Sequence, residues 1–309
     1  MFLSISRMVI PVVFTFLLGF FCRKKGILKP EGLAGIRSLV SNVFLPVTLF
    51  NAFFTAEYSA RIALTFGTVF LACSLGLAAG FALRRFAEPF GKFMPFLVTN
   101  FEGGMLGYAL YSLLYPGMTS VFAMADIGQT LCAHTVFLVA LVAVSGSGAS
   151  PVDALKRAIR TPALIGSLMG VFLGILGMGK AAAANEVGSV LKELISFITA
   201  PTSALILIVV GYDLDFKREL IRPVAATIAI RLIIMAALAL FSSVLIFHII
   251  PFEKPLFIAI LLAYSLPAPF IVPLYADVTG HADYISTVLS MQTVISILLF
   301  IGIAAYSLF

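Results

Sequence analysis

Apolar runs of about 18 to 25 residues recur along the chain, separated by short connections that are basic or contain Gly and Pro. That is the length a helix needs to cross roughly 30 Å of hydrocarbon. The pattern predicts ten spans, over 8–22, 38–54, 62–83, 93–114, 119–144, 162–178, 196–213, 223–247, 255–275 and 283–308. Backbone groups that face lipid must be satisfied within their own segment, so each span is expected to be helical and the fold to be an all-α integral membrane protein. The segment 179–195, alanine-rich with Glu186, Lys192 and Glu193, reads as a short amphipathic surface helix. No stretch remains for a soluble domain.

Composition agrees: 61% of the 309 residues are apolar and 11% charged, more hydrophobic surface than one soluble core of this size could bury. The first run resembles a signal peptide in length. It lacks a small-residue cleavage site and is followed by Arg23, Lys24 and Lys25, as a retained helix with a cytoplasmic end would be. Cys22, Cys73 and Cys132 have neither paired nor metal-like spacing and read as small packing residues.

The net charge of +6 is explained by topology and not by nucleic acid, because the basic residues sit between spans and no domain carries them. Fourteen lie on the side of the odd-numbered loops, among them Lys24, Arg37, Arg84, Lys156 and Lys217; the other side has Arg7, Arg61, Lys180, Lys192 and Lys254. The positive-inside rule therefore puts the odd loops in the cytoplasm and both termini outside it. Arg231 is the exception, inside the eighth span, where a charge is expected to face the bundle interior.

The spans divide into two sets of five, 1–144 and 162–309, joined by a polar cytoplasmic linker at 145–161. Five is odd, so the halves must be inverted, a common plan for secondary transporters. Ser41 and Pro46 align with Ser196 and Pro201, and Gln129 with Gln292. Interruptions also match. The fourth span carries Asn100, Glu102, Gly103, Gly104 and Gly107; the ninth carries Ser265, Pro267 and Pro269. Clustered glycines weaken a helix and prolines remove amide donors, so both spans are expected to break near mid-membrane. Crossed broken helices would bring half-helix N-termini and freed carbonyls to one cavity suited to an anion and a coupling cation.

Within that cavity Asn100, Glu102, Gly103, Gly104, Ser265, Pro267 and Pro269 are the candidate substrate ligands. Glu102, a carboxylate at mid-membrane, is the candidate proton carrier; Asp126, Gln129 and Gln292 join it as candidate coupling-ion groups. An ion pair between Asp126 and Arg231 would make both tolerable in the interior. His134 lies across the fifth helix from Gln129 by helical angle, so the two are not expected to act together. His248, Asp277 and His281 fall near span ends. HExxH, Gly-x-Ser-x-Gly and phosphate-loop patterns are absent, so no enzyme, cofactor or metal centre is expected.

These residues resemble the auxin efflux carrier family, which includes plant PIN proteins and bacterial permeases described as malate or malonate carriers. The resemblance rests on Ser265 to Ala276, SLPAPFIVPLYA, with Pro267 and Pro273 at the two matching proline positions. It rests also on Asn100 followed by a glycine break, on Leu45-Pro46, and on Pro201 with Gly211. It implies a fold related to bile-acid symporters. In that fold spans 1, 2, 6 and 7 form a scaffold, and spans 3–5 and 8–10 form a transport domain moving by an elevator mechanism. A homodimer in a bacterial inner membrane and a small organic anion as substrate are implied too. Glu102, Gly103 and Gly104 replace a more neutral run, and Pro269 adds a second proline, which favours coupling to H⁺ or Na⁺. The alternatives are a sodium-coupled bile-acid-type symporter liganded by Glu102, Gln129 and Gln292, and a membrane sensor that transports nothing.

Overall fold

A helix that is apolar on every side has no polar face to turn toward water, and seven helices of this protein are of that kind and long enough to cross a membrane. The computed structural model describes residues 2–145, 150–272 and 278–308, which contain helices and no strand. The seven are α1 (Ile5–Lys24), α2 (Pro30–Phe54), α3 (Ala60–Ala87), α6 (Thr119–Ser145), α10 (Glu186–Tyr212), α11 (Arg218–Ile249) and α13 (Ala282–Ser307). An eighth crossing is available if the pair α7 (Pro151–Ile159) and α8 (Pro162–Ile175), bent by 69° at Arg160 and Thr161, counts as one span. The remaining pieces are short: α4 (Met94–Leu97), α5 (Tyr108–Leu114), α9 (Met178–Ala183) and α12 (Lys254–Ser265).

The fourth and ninth predicted spans are the ones missing from that set, and both are interrupted. After α4 the chain leaves helical geometry at 98–102, passes through a widened π-helical turn at Gly103–Gly107, and resumes as α5. Asn100 adopts φ 53°, a left-handed conformation that costs a residue with a side chain more than glycine. α12 stops at Ser265, and the chain runs without helix through Leu266, Pro267, Ala268 and Pro269. Pro273 and Asp277 lie outside the described residues.

One boundary differs from expectation. Residues 186–195 are not a separate surface helix but the first half of α10, which turns at Ala200 and Pro201 and continues to Tyr212. Val187, Val190, Leu194 and Phe197 form its outward stripe, with Phe197 83% exposed. Spacings of three and four residues set them on one face, which reads as lipid-facing.

Helices pack closely where glycine lets backbones touch. Gly166, Gly170 and Gly174 of α8 lie against the carbonyls or backbone of Pro46, Phe50 and Phe53 in α2, and Gly19 of α1 and Gly211 of α10 meet the partner helix's backbone in the same way. On the other side of the molecule α3 packs on α6 and α11, and α11 on α12. A Cβ at Gly170 would stand 2.5 Å from the Phe50 carbonyl oxygen, whereas one at Gly67 would meet nothing within 4 Å. Gly170→Ala is therefore expected to lower stability by on the order of 1–3 kcal/mol, and Gly67→Ala to be neutral or to stabilise by up to about 1 kcal/mol. Thermal unfolding of the two detergent-purified variants checks the contrast.

Candidate functional site

Where helices stop inside a protein, their freed N–H and C=O groups need other partners. The two interruptions supply some of these to each other: the Glu102 amide donates to the Pro267 carbonyl at 2.9 Å, so the breaks meet backbone to backbone. Three long side chains from neighbouring helices supply more. Arg231 of α11 donates through Nη1 to the carbonyls of Leu97 (3.3 Å) and Thr99 (3.2 Å), and through Nη2 to those of Asn100 (2.8 Å) and Leu266 (2.6 Å). Gln292 of α13 donates to the Leu97 carbonyl (2.7 Å) and accepts from the Ala268 amide (2.8 Å). Gln129 of α6 donates to the Phe101 carbonyl (2.7 Å). The two glutamines that align in sequence thus do the same kind of work at the two breaks.

Glu102 serves the amide side. Its Oε1 accepts from the Met105 amide (3.1 Å), capping the turn that follows it, and its Oε2 accepts from the Phe270 amide of the other broken segment (2.9 Å). One carboxylate therefore bridges amides of both segments, a charge-assisted arrangement stronger than a neutral pair. Asp126 stands beside it on α6, 1% exposed. Its Oδ1 faces Gly103, where any Cβ would strike it, and its Oδ2 is 3.5 Å from the Thr130 hydroxyl. The Tyr108 hydroxyl lies close enough to Asp126 to interact electrostatically, yet neither that hydroxyl nor Oδ1 completes a hydrogen bond of normal geometry. The Asp126–Arg231 pair expected from sequence is not formed. The guanidinium is taken up by the four carbonyls, and no carboxylate lies within ion-pair distance among the described residues.

These groups border a cavity of about 800 Å³. Glu102, Gly103, Gly104, Pro269, Asp126 and Gln129 are on its wall. Asn100, Ser265, Pro267, Gln292 and Arg231 stand behind that wall. Asn100 is fully buried and its Nδ2 has no hydrogen-bond partner, so what it contributes here is its carbonyl to Arg231. His134 shares the cavity with Gln129 despite the helical angle between them. A π-helical turn begins at Ala133, so the regular angular step no longer holds from there.

Sequence reasoning missed the π turns altogether. There are three among the described residues, at Val40–Phe44, Gly103–Gly107 and Ala133–Phe137, and each contributes to the cavity wall, through Ser41 and Asn42, Gly103 to Met105, and Ala133 and His134. Such turns are rare and collect at functional sites. It also missed Tyr108 and the pair at the mouth, Arg37 with Asp213 (2.6 Å).

Gln292 holds one group from each broken segment and Gln129 only one carbonyl. Gln292→Ala leaves the Ala268 amide without its partner, whereas the Leu97 and Phe101 carbonyls keep bonds to Arg231 and to the Gly103 amide, so Gln292→Ala is expected to cost about 1–3 kcal/mol and Gln129→Ala less. Unfolding midpoints of the two variants compare them directly; an equal or inverted order would contradict the bonding described.

Residues 4–151 match the family model described as membrane transport protein. The match spans α1 to the start of α7, so the first break, Glu102, Asp126 and Gln129 lie inside it and the second break, Arg231 and Gln292 outside. No curated protein matches the chain.

Proposed function

We propose, from the match of residues 4–151 to the membrane transport protein family model, that of the auxin efflux carriers, that the chain is a secondary transporter that carries small organic anions together with protons, with its substrate site where the two broken segments cross. The observation that carries this reading is the position of Glu102. Its carboxylate already occupies the two amides, Met105 and Phe270, that an incoming substrate carboxylate would need. A substrate anion would replace Glu102 on those amides. Glu102 would then be left on a wall that already holds Asp126, where Arg37 is paired with Asp213 and His134 is bonded to the Thr130 carbonyl, and carboxylates crowded at low dielectric cannot all stay ionised. The anion therefore enters with a proton.

The rest of the reading follows the same frame. Counting the two broken segments and the bent pair as crossings gives ten spans in two inverted repeats, 1–144 and 162–309. Spans 1, 2, 6 and 7 act as scaffold, spans 3–5 and 8–10 as the moving transport domain, and two copies associate as a homodimer. The glycine-mediated packing of α1 on α10 and α2 on α8 supports that division, as does a cavity bordered by residues of both groups. The cavity mouth is formed by Arg37, Thr161, Asp213 and Val278, all at the ends of odd-numbered loops. On the opposite side Arg61 pairs with Glu253 at 2.5 Å and the Tyr111 hydroxyl donates to the Pro255 carbonyl. By the positive-inside rule this conformation faces the cytoplasm, with both termini outside it. The sodium-coupled alternative draws its ligands from Glu102, Gln129 and Gln292. Gln292 Oε1 and both Glu102 oxygens already accept from backbone amides, so the proton reading is the better supported.

In proteoliposomes, uptake of the transported carboxylate is expected to rise as pH falls, approaching about tenfold in apparent affinity per pH unit for one linked proton. Glu102→Gln should transport with that dependence flattened. Wild-type pH dependence in Glu102→Gln would refute the proton assignment.

A further inference from the structure

The crossing also has a carbonyl side, and one side chain dominates it. Arg231 is 4% exposed and comes from α11, which belongs to neither broken segment. Its two terminal nitrogens reach four carbonyl oxygens, three from the first break and one from the second. Leu266 is the first residue after α12 ends at Ser265, and its backbone is extended. No formal negative charge pairs with the guanidinium among the described residues. A gap of about 20 Å³ adjoins it, lined by Ser265, Leu266, Gln292 and Ser296. Carbonyl oxygens from unwound helices, gathered round one positive charge at mid-membrane, form the kind of cage that elsewhere holds a free metal cation.

We propose that Arg231 is the resident cation of this crossing: its guanidinium fills the carbonyl cage that would otherwise need a small monovalent metal ion, and removing its charge converts the cage into a site for such an ion. The cation is tethered to α11, so it travels with the crossing and is never released. A planar fork suits the task because it serves four acceptors at once, which a lysine ammonium on a flexible stem does less completely. The transport consequence rests on the crossing being the substrate site; the ion-binding consequence does not.

Two variants separate charge from mere packing. Arg231→Lys keeps a cation in the cage, and Arg231→Gln keeps a donor of partial reach without the charge. Unfolding of the detergent-purified proteins would be followed in sodium, lithium, potassium and choline chloride at equal ionic strength. Wild type and Arg231→Lys are expected to respond alike to all four salts. Arg231→Gln is expected to unfold at lower temperature in choline and to recover saturably with sodium or lithium, because an ion that binds only the folded state raises its stability by mass action. In proteoliposomes Arg231→Gln should transport only when the same small cation is present. Specific stabilisation of the wild type by sodium would overturn the proposal, as would equal stability of the Lys and Gln variants or an Arg231→Gln defect that no small cation restores. If the salt responses appear as expected but no variant or wild type carries a carboxylate, the cage stands and the transport reading falls.

Discussion

A helix broken in the middle of a membrane protein leaves polar backbone groups where no water can reach them, and each group left alone there costs several kcal/mol. This constraint governs the crossing. The carbonyls of Leu97, Thr99, Asn100, Phe101, Leu266 and Pro267, and the amides of Glu102, Ala268 and Phe270, are all freed by the two interruptions and all bonded. Two of these bonds join backbone to backbone, from the Glu102 amide to the Pro267 carbonyl and from the Gly103 amide to the Phe101 carbonyl, and the first of them links the two breaks. Arg231, Gln129, Gln292 and Glu102 satisfy the others, and they come from α11, α6, α13 and the first break itself. The helices round the crossing are thereby tied to it by polar bonds as well as by apolar packing.

Helices α1, α2, α8 and α10 solve a different problem. Lipid gives α1, α2, α8 and α10 no hydrophobic reason to associate, so their contacts depend on close backbone approach through glycine. That packing runs along α1 with α10 and α2 with α8, while the crossing is held by directional bonds among α3, α6, α11, α12 and α13. The cavity lies between these two kinds of construction, bordered by Leu45 and Val210 on one side and Glu102 and Phe270 on the other. Relative motion between them would disturb the cavity walls while leaving the bonds inside the crossing intact.

Much of this was legible in the sequence, for identifiable reasons. Glycines at 103, 104 and 107 and prolines at 267 and 269 act on the backbone locally, so the breaks could be read without knowing their neighbours. Glu102 stood out because an acid in an apolar run has few explanations. Partners were harder. Arg231 was read as a buried charge, but the natural guess for its partner was the nearest acid, and pattern alone cannot reveal a cage of carbonyls. Asn100 was read as a ligand by its side chain; that its left-handed backbone also turns its carbonyl to Arg231 could not be read from residue type. The three π turns were not read from residue type; one of them begins at Ala133, just before His134, which lines the same cavity as Gln129. Residues 186–195 looked amphipathic because Glu186, Lys192 and Glu193 interrupt them, although the apolar face that includes Val187 and Phe197 continues into α10.

The signs of the two buried charges follow from which backbone ends they meet. One amide of each broken segment, Met105 and Phe270, receives Glu102 at the cavity wall, and carbonyls of both, Leu97, Thr99, Asn100 and Leu266, receive Arg231 behind it. Exchanging the two side chains would set a carboxylate against four carbonyl oxygens and a guanidinium against two amide hydrogens, unfavourable on both sides. Access to water is also unequal. Glu102 lies on the cavity wall, where a proton or a competing anion can reach it, and Arg231 lies behind it, sealed from the same cavity. A group that must change state during a cycle belongs on the wet side, and a group that must only hold the crossing together belongs on the dry one. The polarity of the broken backbone thus fixes which charge stands on each side of the crossing.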